Sequence, residues 1–151
     1  MCVLLLLQNP HYAFAERIKA ILEDGGLQLE SGDRIILEGI QLAPEAIPIL
    51  SILVLQKEVE LEYEFSPSKG LNTDKDLPAA YLFVKTSELD FPFNKQAAGM
   101  RKKRVMVNEL LLKLGAARVA KDAVFKSKEG FTQLESVARK KGEGIWSYEL
   151  S

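Results

Sequence analysis

One cysteine, one histidine and one tryptophan occur in 151 residues, and each scarcity removes a class of function. The lone thiol, Cys2, excludes an internal disulfide framework and any zinc site built from several thiolates. It fits a reducing compartment, either the cell interior or the interior of an organelle. The lone imidazole, His11, excludes a histidine-rich metal centre; following Asn9-Pro10, it reads as a turn residue. Only 10 Gly and 6 Pro accompany 47% hydrophobic and 27% charged residues, the composition of a globular chain rather than a disordered one. Long apolar runs are also missing. The opening stretch from Val3 to Leu7 ends at Gln8, with no basic residue before it and no small-residue cleavage site after it. It is too short for a membrane span and reads as a buried N-terminal strand rather than a signal peptide.

Net charge is nearly absent as well, at -1, but it is unevenly spread. Residues 1–84 hold 6 basic and 13 acidic side chains, whereas residues 85–151 hold 14 basic and 8 acidic ones. This split permits a basic face, while overall neutrality argues against avid, sequence-independent binding to nucleic acid.

What is present reads as one domain over 1–151, with an extra N-terminal segment at 1–11. The first half is strand-like: Tyr12 to Leu22, a turn at Glu23-Asp24-Gly25-Gly26, then Leu27-Gln28-Leu29, a second turn, and Arg34 to Gly39. Ile47 to Leu55 is apolar almost all round, and Pro48 suits the first turn of a short helix. Such a helix is either buried or covered by another chain, which makes Ile49, Ile52 and Leu53 candidate interaction residues. Val59, Leu61, Tyr63 and Phe65 alternate with Glu58, Glu60, Glu62 and Glu64, predicting a half-buried strand with one acidic face. That face is either simply solvated or a docking edge for a basic partner, and in both cases it should repel phosphate.

Ala79 to Lys85 is a further strand, and Thr86 to Arg104 is a polar, basic loop insertion. Two helices follow. Val107, Leu110, Leu111 and Leu114 lie at i, i+3, i+4, i+7 before Gly115, and Phe131, Leu134, Val137 and Ala138 share a face before Gly142. Five strands, a helix before the fourth and two helices at the end predict an α+β domain around a small β-barrel, with about three helices.

Val107-Asn108-Glu109-Leu110, continuing through Gly115-Ala116-Ala117-Arg118-Val119, resembles the V-N-E-x-L…G-x-A-x-V segment of staphylococcal-nuclease-type domains. Ala138 to Gly144-Ile145-Trp146 resembles their terminal A-(x)n-G-x-W segment. Ala80-Tyr81-Leu82-Phe83-Val84 is similar to their central strand, and Ala43-Pro44-Glu45 to the end of their Asp-Thr-Pro-Glu motif. The ordered set covers roughly residues 13–147 and implies a five-stranded OB-fold barrel. In physical terms Asn108 and Glu109 suit the first turn of a helix, and Trp146 suits a core anchor for the C-terminal tail, with a ligand-stacking platform as the alternative.

Active members of that family are calcium-dependent phosphodiesterases. Carboxylates hold the metal, a glutamate assists the attacking water, and two arginines neutralise the phosphate. Carried over by position, the metal-binding acid of the first hairpin falls on Gly26, and the aspartate and threonine of the Asp-Thr-Pro-Glu motif fall on Leu42 and Ala43. The two arginines fall on Leu37 and at or beside Leu77. Only Glu45 survives of the catalytic group, and Arg34 is three residues from the required place, on the opposite strand face. The expectation is therefore a domain with no catalytic residues, no metal and no cofactor; an Asp24–Glu45 pair is the one conceivable weak metal site.

Three functions remain open. The first is a non-catalytic nuclease-like domain serving as a protein-interaction or scaffold subunit of a larger assembly. The second is a module for RNA or single-stranded nucleic acid, using Lys95, Arg101, Lys102, Lys103 and Arg104 with Phe91 and Phe93 interleaved. The third is a residual calcium-dependent nuclease. Arg139-Lys140-Lys141, at a helix C-terminus, is explained by the helix dipole and needs no ligand.

Overall fold

A computed structural model describes residues 11–64, 78–89, 93 and 103–147. Strand β1 (His11–Ile21) is the longest, and it pairs on one side with β2 (Leu27–Leu29) and on the other with β5 (Glu58–Glu64). His11 thus opens a strand, opposite Glu64, instead of closing a turn. A register shift between Ile18 and Ala20 bends β1, as a bulge does where a sheet must curl. β3 (Arg34–Leu37) pairs with β2, and β6 (Ala79–Lys85) pairs with β5. Closure comes from a short parallel pairing of β3 with β6, Ile36 opposite Ala79 and Leu37 opposite Ala80. The result is a five-stranded OB-type barrel with no free edge along that seam.

Helix α1 (Ile47–Val54) follows a 3-10 turn at Pro44–Ala46 and plugs the barrel. Leu50, Leu53 and Val54 on it are fully buried, together with Ile18, Leu27, Ile35 and Leu61 from the walls. A second layer lies outside. Helix α2 (Val107–Lys113) buries Val107, Leu110, Leu111 and Leu112. Helix α3 (Lys128–Lys141) lays Phe131 edge-on against Tyr81 of β6, with ring centroids 6.1 Å apart. Two three-residue strands, β4 (Ile40–Leu42) and β8 (Ala117–Val119), pair outside the barrel. Strand β7 (Arg104–Met106) occupies the stretch of β6 that β3 does not reach, along Phe83 to Lys85.

Between those two partners β6 has a gap, and Asn108 fills it. Its Oδ1 accepts from Leu82 N–H at 2.9 Å, and its Nδ2 donates to the carbonyls of Glu38 at 3.0 Å and Ala80 at 3.2 Å. The side chain is 0% exposed. This corrects the expectation that Asn108 serves the amides of its own helix: its amide group substitutes for a missing strand between β3 and β7.

The end of α2 depends on a second close approach. Gly115 has φ +69 and Gly144 has φ +52; a Cβ on Gly115 would lie 2.1 Å from the Glu143 carbonyl oxygen, and one on Gly144 would lie 2.3 Å from that of Gly115. Two backbones therefore cross where neither tolerates a side chain, and Ile145 N–H donates to the Gly115 carbonyl at 2.9 Å.

On α3 the sequence pattern needs one correction. Val137 is 49% exposed, and the buried face is Phe131, Glu135 and Ala138. Glu135 takes the inward place because its carboxylate accepts from Val119 N–H at 2.6 Å and so ties β8 to the helix. Such a charge-assisted bond satisfies the buried donor and the acid together.

Asn108→Ala would leave the Leu82 donor without its partner and take the Nδ2 donor from the Glu38 carbonyl, while the Ala80 carbonyl keeps its bond from Glu38 N–H. The expected cost is about 2–4 kcal/mol of unfolding free energy, to be read from urea denaturation. Asn108→Leu, which fills the volume but restores no hydrogen bond, should recover little of it.

Candidate functional site

The family-like site is built on the turn between β3 and β4. Leu37 is the last residue of β3, and only 6% exposed, because the strand alternates and Ile35 and Leu37 face the core. Arg34 lies on the outward side of the same alternation. The chain then turns at Gly39, with φ +78. A Cβ there would stand 2.5 Å from the Phe125 ring. That contact sets the direction of β4, which carries Leu42 to the site and pairs with Ala117.

Leu37 and Leu42 line one cavity of about 230 Å³ with Asp24, Gly25, Ile36 and Ile40. Leu42 is also shared by a second cavity of about 370 Å³ lined by Gln41, Ala43, Pro44, Glu45, Arg118 and Ile145. Asp24 and Glu45 therefore line different cavities. Asp24 is moreover engaged locally: Oδ1 accepts from Gly26 N–H at 2.9 Å, and Oδ2 faces Arg34 at 3.4 Å. Among the described residues, no three His, Cys, Asp or Glu side chains come together so as to hold a metal ion. Glu45 itself stands exposed in the first turn of the Pro44–Ala46 helix, where the dipole favours an acid.

Of the basic candidates, Lys95, Arg101 and Lys102 lie outside the described residues, as does Leu77. Lys103 is exposed. Arg104 is held by the acidic face of β5: Nη1 reaches Glu60 at 2.7 Å and Nη2 reaches Glu62 at 3.1 Å. Its guanidinium also stacks on Phe83, 4.0 Å from the ring centre. Partial burial works against its charge, but the hydrogen bonds it donates to Glu62 and Glu60 outweigh that and raise its pKa. Arg104 is thus a partner for carboxylates in this fold, which corrects its reading as a phosphate contact.

The same pairings correct the view of β5 as a merely solvated or docking acidic face. Glu64 accepts from the Tyr81 hydroxyl at 2.6 Å and from Lys126 N–H at 2.7 Å. Burial first, and then the bond to Glu64, push the Tyr81 hydroxyl well above its ordinary pKa. Three of the four glutamates are therefore internal partners.

The α1 candidates also separate. Leu53 is 0% exposed, sealed inside the barrel, and is not a contact residue; Ile49 is half-buried against the core, and Ile52 is 50% exposed. Ile49 and Ala46 form one wall of a cleft of about 220 Å³ whose other wall is Leu114, Ala116 and Ile145. Trp146 is buried, as expected of an anchor. Sequence reasoning missed what covers it: Arg118 lies 4.4 Å and Arg139 4.8 Å from the indole ring centre. Their spacing in the chain carries no signal, because β8 and the end of α3 meet only in three dimensions.

Charge reversal separates the roles of the two basic neighbours. Arg104→Glu would face Glu60 and Glu62 with a third acid, and should lower unfolding free energy by roughly 1–2 kcal/mol. Lys103→Glu should stay within about 0.5 kcal/mol of the parent. Thermal and urea unfolding of both variants checks this.

Among the described residues, no helix is long and apolar enough to cross a membrane. No curated protein matches the chain. The family model described as "Staphylococcal nuclease homologue" matches residues 43–148, more than half of the chain, and takes in α1, β5 to β8, both outer helices and Trp146. With β1, β2 and β3 completing the barrel ahead of that match, the chain belongs to the staphylococcal nuclease homologue family.

Proposed function

We propose that this chain is a non-catalytic member of its family, a pseudo-nuclease that works by binding a protein partner as a scaffold subunit of a larger assembly. The observation that carries the reading is the pair Leu37 and Leu42. The resemblance implies a phosphate-neutralising guanidinium at the first and a calcium-binding carboxylate at the second. Leu37 instead belongs to the hydrophobic core, and Leu42 packs against it. An arginine gives a developing charge fixed donors, and a carboxylate gives a hard cation its oxygen ligands. Hydrocarbon does neither. Gly26 and Ala43 add no side-chain oxygen, and Asp24 is bonded within its own turn. The donor set therefore does not fit calcium, and no catalytic step is derived through it.

The binding half of the proposal is supported by α1. A helix this apolar, with Ile52 half exposed and Ile49 at the lip of an apolar cleft, presents hydrocarbon that a partner would cover. Nucleic-acid binding through the basic insertion, the second reading, keeps only Lys103 as an exposed cation among its described residues.

Two measurements test the two halves. Incubation with single-stranded DNA or RNA and calcium should give no cleavage above background, and Glu45→Gln should behave like the parent chain. Calcium-dependent cleavage abolished by Glu45→Gln would overturn the pseudo-nuclease reading. For the scaffold half, the chain purified under mild conditions from its native source should elute as a complex heavier than itself in light scattering. Ile52→Asp, a surface change costing less than about 0.5 kcal/mol, should release it as a monomer. A parent chain that is already monomeric would count against a scaffold role.

A further inference from the structure

Lys57 ties two parts of the surface together. Its Nζ donates to the carbonyl of Ile52, near the end of α1, and to that of Glu88, both at 3.0 Å. Ile52 is thereby fixed beside the Thr86–Glu88 turn. Glu88 in turn lines a cavity of about 230 Å³ over β5 and β6, with Glu58, Glu60, Phe83, Lys85 and Arg104 also on its wall. We infer that Ile52 and this cavity form one docking surface. Its occupant is a protein segment in which an apolar side chain is followed closely by an arginine or lysine; this rests on the reading that a protein partner covers α1.

The fold itself shows what this wall can hold. Arg104 is seated on Phe83, 4.0 Å from the ring centre, with Glu60 and Glu62 at 2.7 and 3.1 Å from its guanidinium nitrogens. A ring face and a carboxylate both attract a planar cation, and a guanidinium gives up its water more readily than an ammonium does. Glu58 precedes Glu60 on the same face of β5, because side chains two apart along a strand point the same way. The cavity therefore extends along the strand the setting that Arg104 already occupies. Its volume admits one long side chain and not a folded surface. The rest of the contact must come from an apolar neighbour, and Ile52 is 50% exposed beside it.

Charge decides the sign of the occupant. Arg104 is held by Glu60 and Glu62, and the Lys57 ammonium lies on two carbonyls. Arg17, opposite Glu58 on β1, directs Nη1 at the Gln56 carbonyl, 2.7 Å away. Among the described residues, neither the Glu58 nor the Glu88 carboxylate has a hydrogen bond or ion pair, and both residues are exposed. Two open acids thus face the single ammonium of Lys85 on this wall. An incoming cation is attracted, and an acidic segment is repelled.

The full chain, isotope-labelled, is titrated by NMR with the capped tripeptide Leu-Ser-Arg, whose outer side chains share a face when extended, and with Leu-Ser-Glu. Saturable shifts at the amides of Glu58, Val84 and Glu88 are expected with Leu-Ser-Arg. Its affinity should fall about threefold or more in Ile52→Ser and in the double variant Glu58→Gln, Glu88→Gln. All three side chains are exposed, so both variants should fold as the parent does. No saturable shift with Leu-Ser-Arg overturns the inference, as does equal binding of Leu-Ser-Glu or a smaller loss in either variant. The native complex separates this inference from the scaffold reading. If the double variant joins a heavy complex as well as the parent does, the surface is overturned and the scaffold stands. A monomeric parent that still binds Leu-Ser-Arg at these residues removes the scaffold and upholds the surface.

Discussion

The barrel depends on one buried amide. Closing five strands leaves β6 with two different neighbours along a single edge, β3 at Ala79 and Ala80 and β7 from Phe83 onward. A backbone donor stranded between them would cost more than most side-chain contacts return. Asn108 meets that donor and bridges the carbonyls on either side of the seam. An asparagine is suited to this because it carries an acceptor and two donors with no charge. Much of the outer layer follows from it, since α2 must sit where Asn108 reaches the seam, and α3 then packs on α2 and β8.

The same economy governs charge. Glu60 and Glu62 hold Arg104, Glu64 holds Tyr81 and Lys126 ahead of α3, and Glu135 holds β8. The uneven distribution of acids and bases along the chain is thus partly an internal pairing of the first half with the second. The surface pairs contribute little each, but they decide which basic residues remain available to a ligand. Arg104 is withdrawn by carboxylates, and Arg118 and Arg139 lie against the ring of Trp146.

The barrel was legible in the sequence wherever periodicity was strong. β1, β2, β5 and β6 and all three helices fall where alternation, Pro48, Gly115 and Gly142 predict them. β4 was not legible and β8 only through the family resemblance, because three residues carry no period and their pairing depends on Gly39 turning over Phe125. Asn108 and Glu135 were misread for a shared reason. Local rules assign a polar residue near a helix end to its own helix, or to water, yet both reach a strand remote in sequence. Val137 was misplaced because Glu135 took the inward position. At the family-like site, the identity of each replacement was readable and its consequence was not. Leu37 and Leu42 are visible as leucines, but only the strand register shows the first inside the core.

The crossing of Gly115 and Gly144 also bears on synthesis. The two glycines are 29 positions apart, and the C-terminal end of α2 is finished only when the later one arrives. At roughly 5–20 residues per second, that is about 1.5–6 seconds of translation during which α2 exists without its final backbone partner. Until then the outer wall of the barrel is open on the side where β8, α3 and the tail will dock. The nascent chain therefore passes through an interval in which α2 rests on β6 but is uncovered on the side that α3 will take, and a chaperone or an early partner would find its opportunity there.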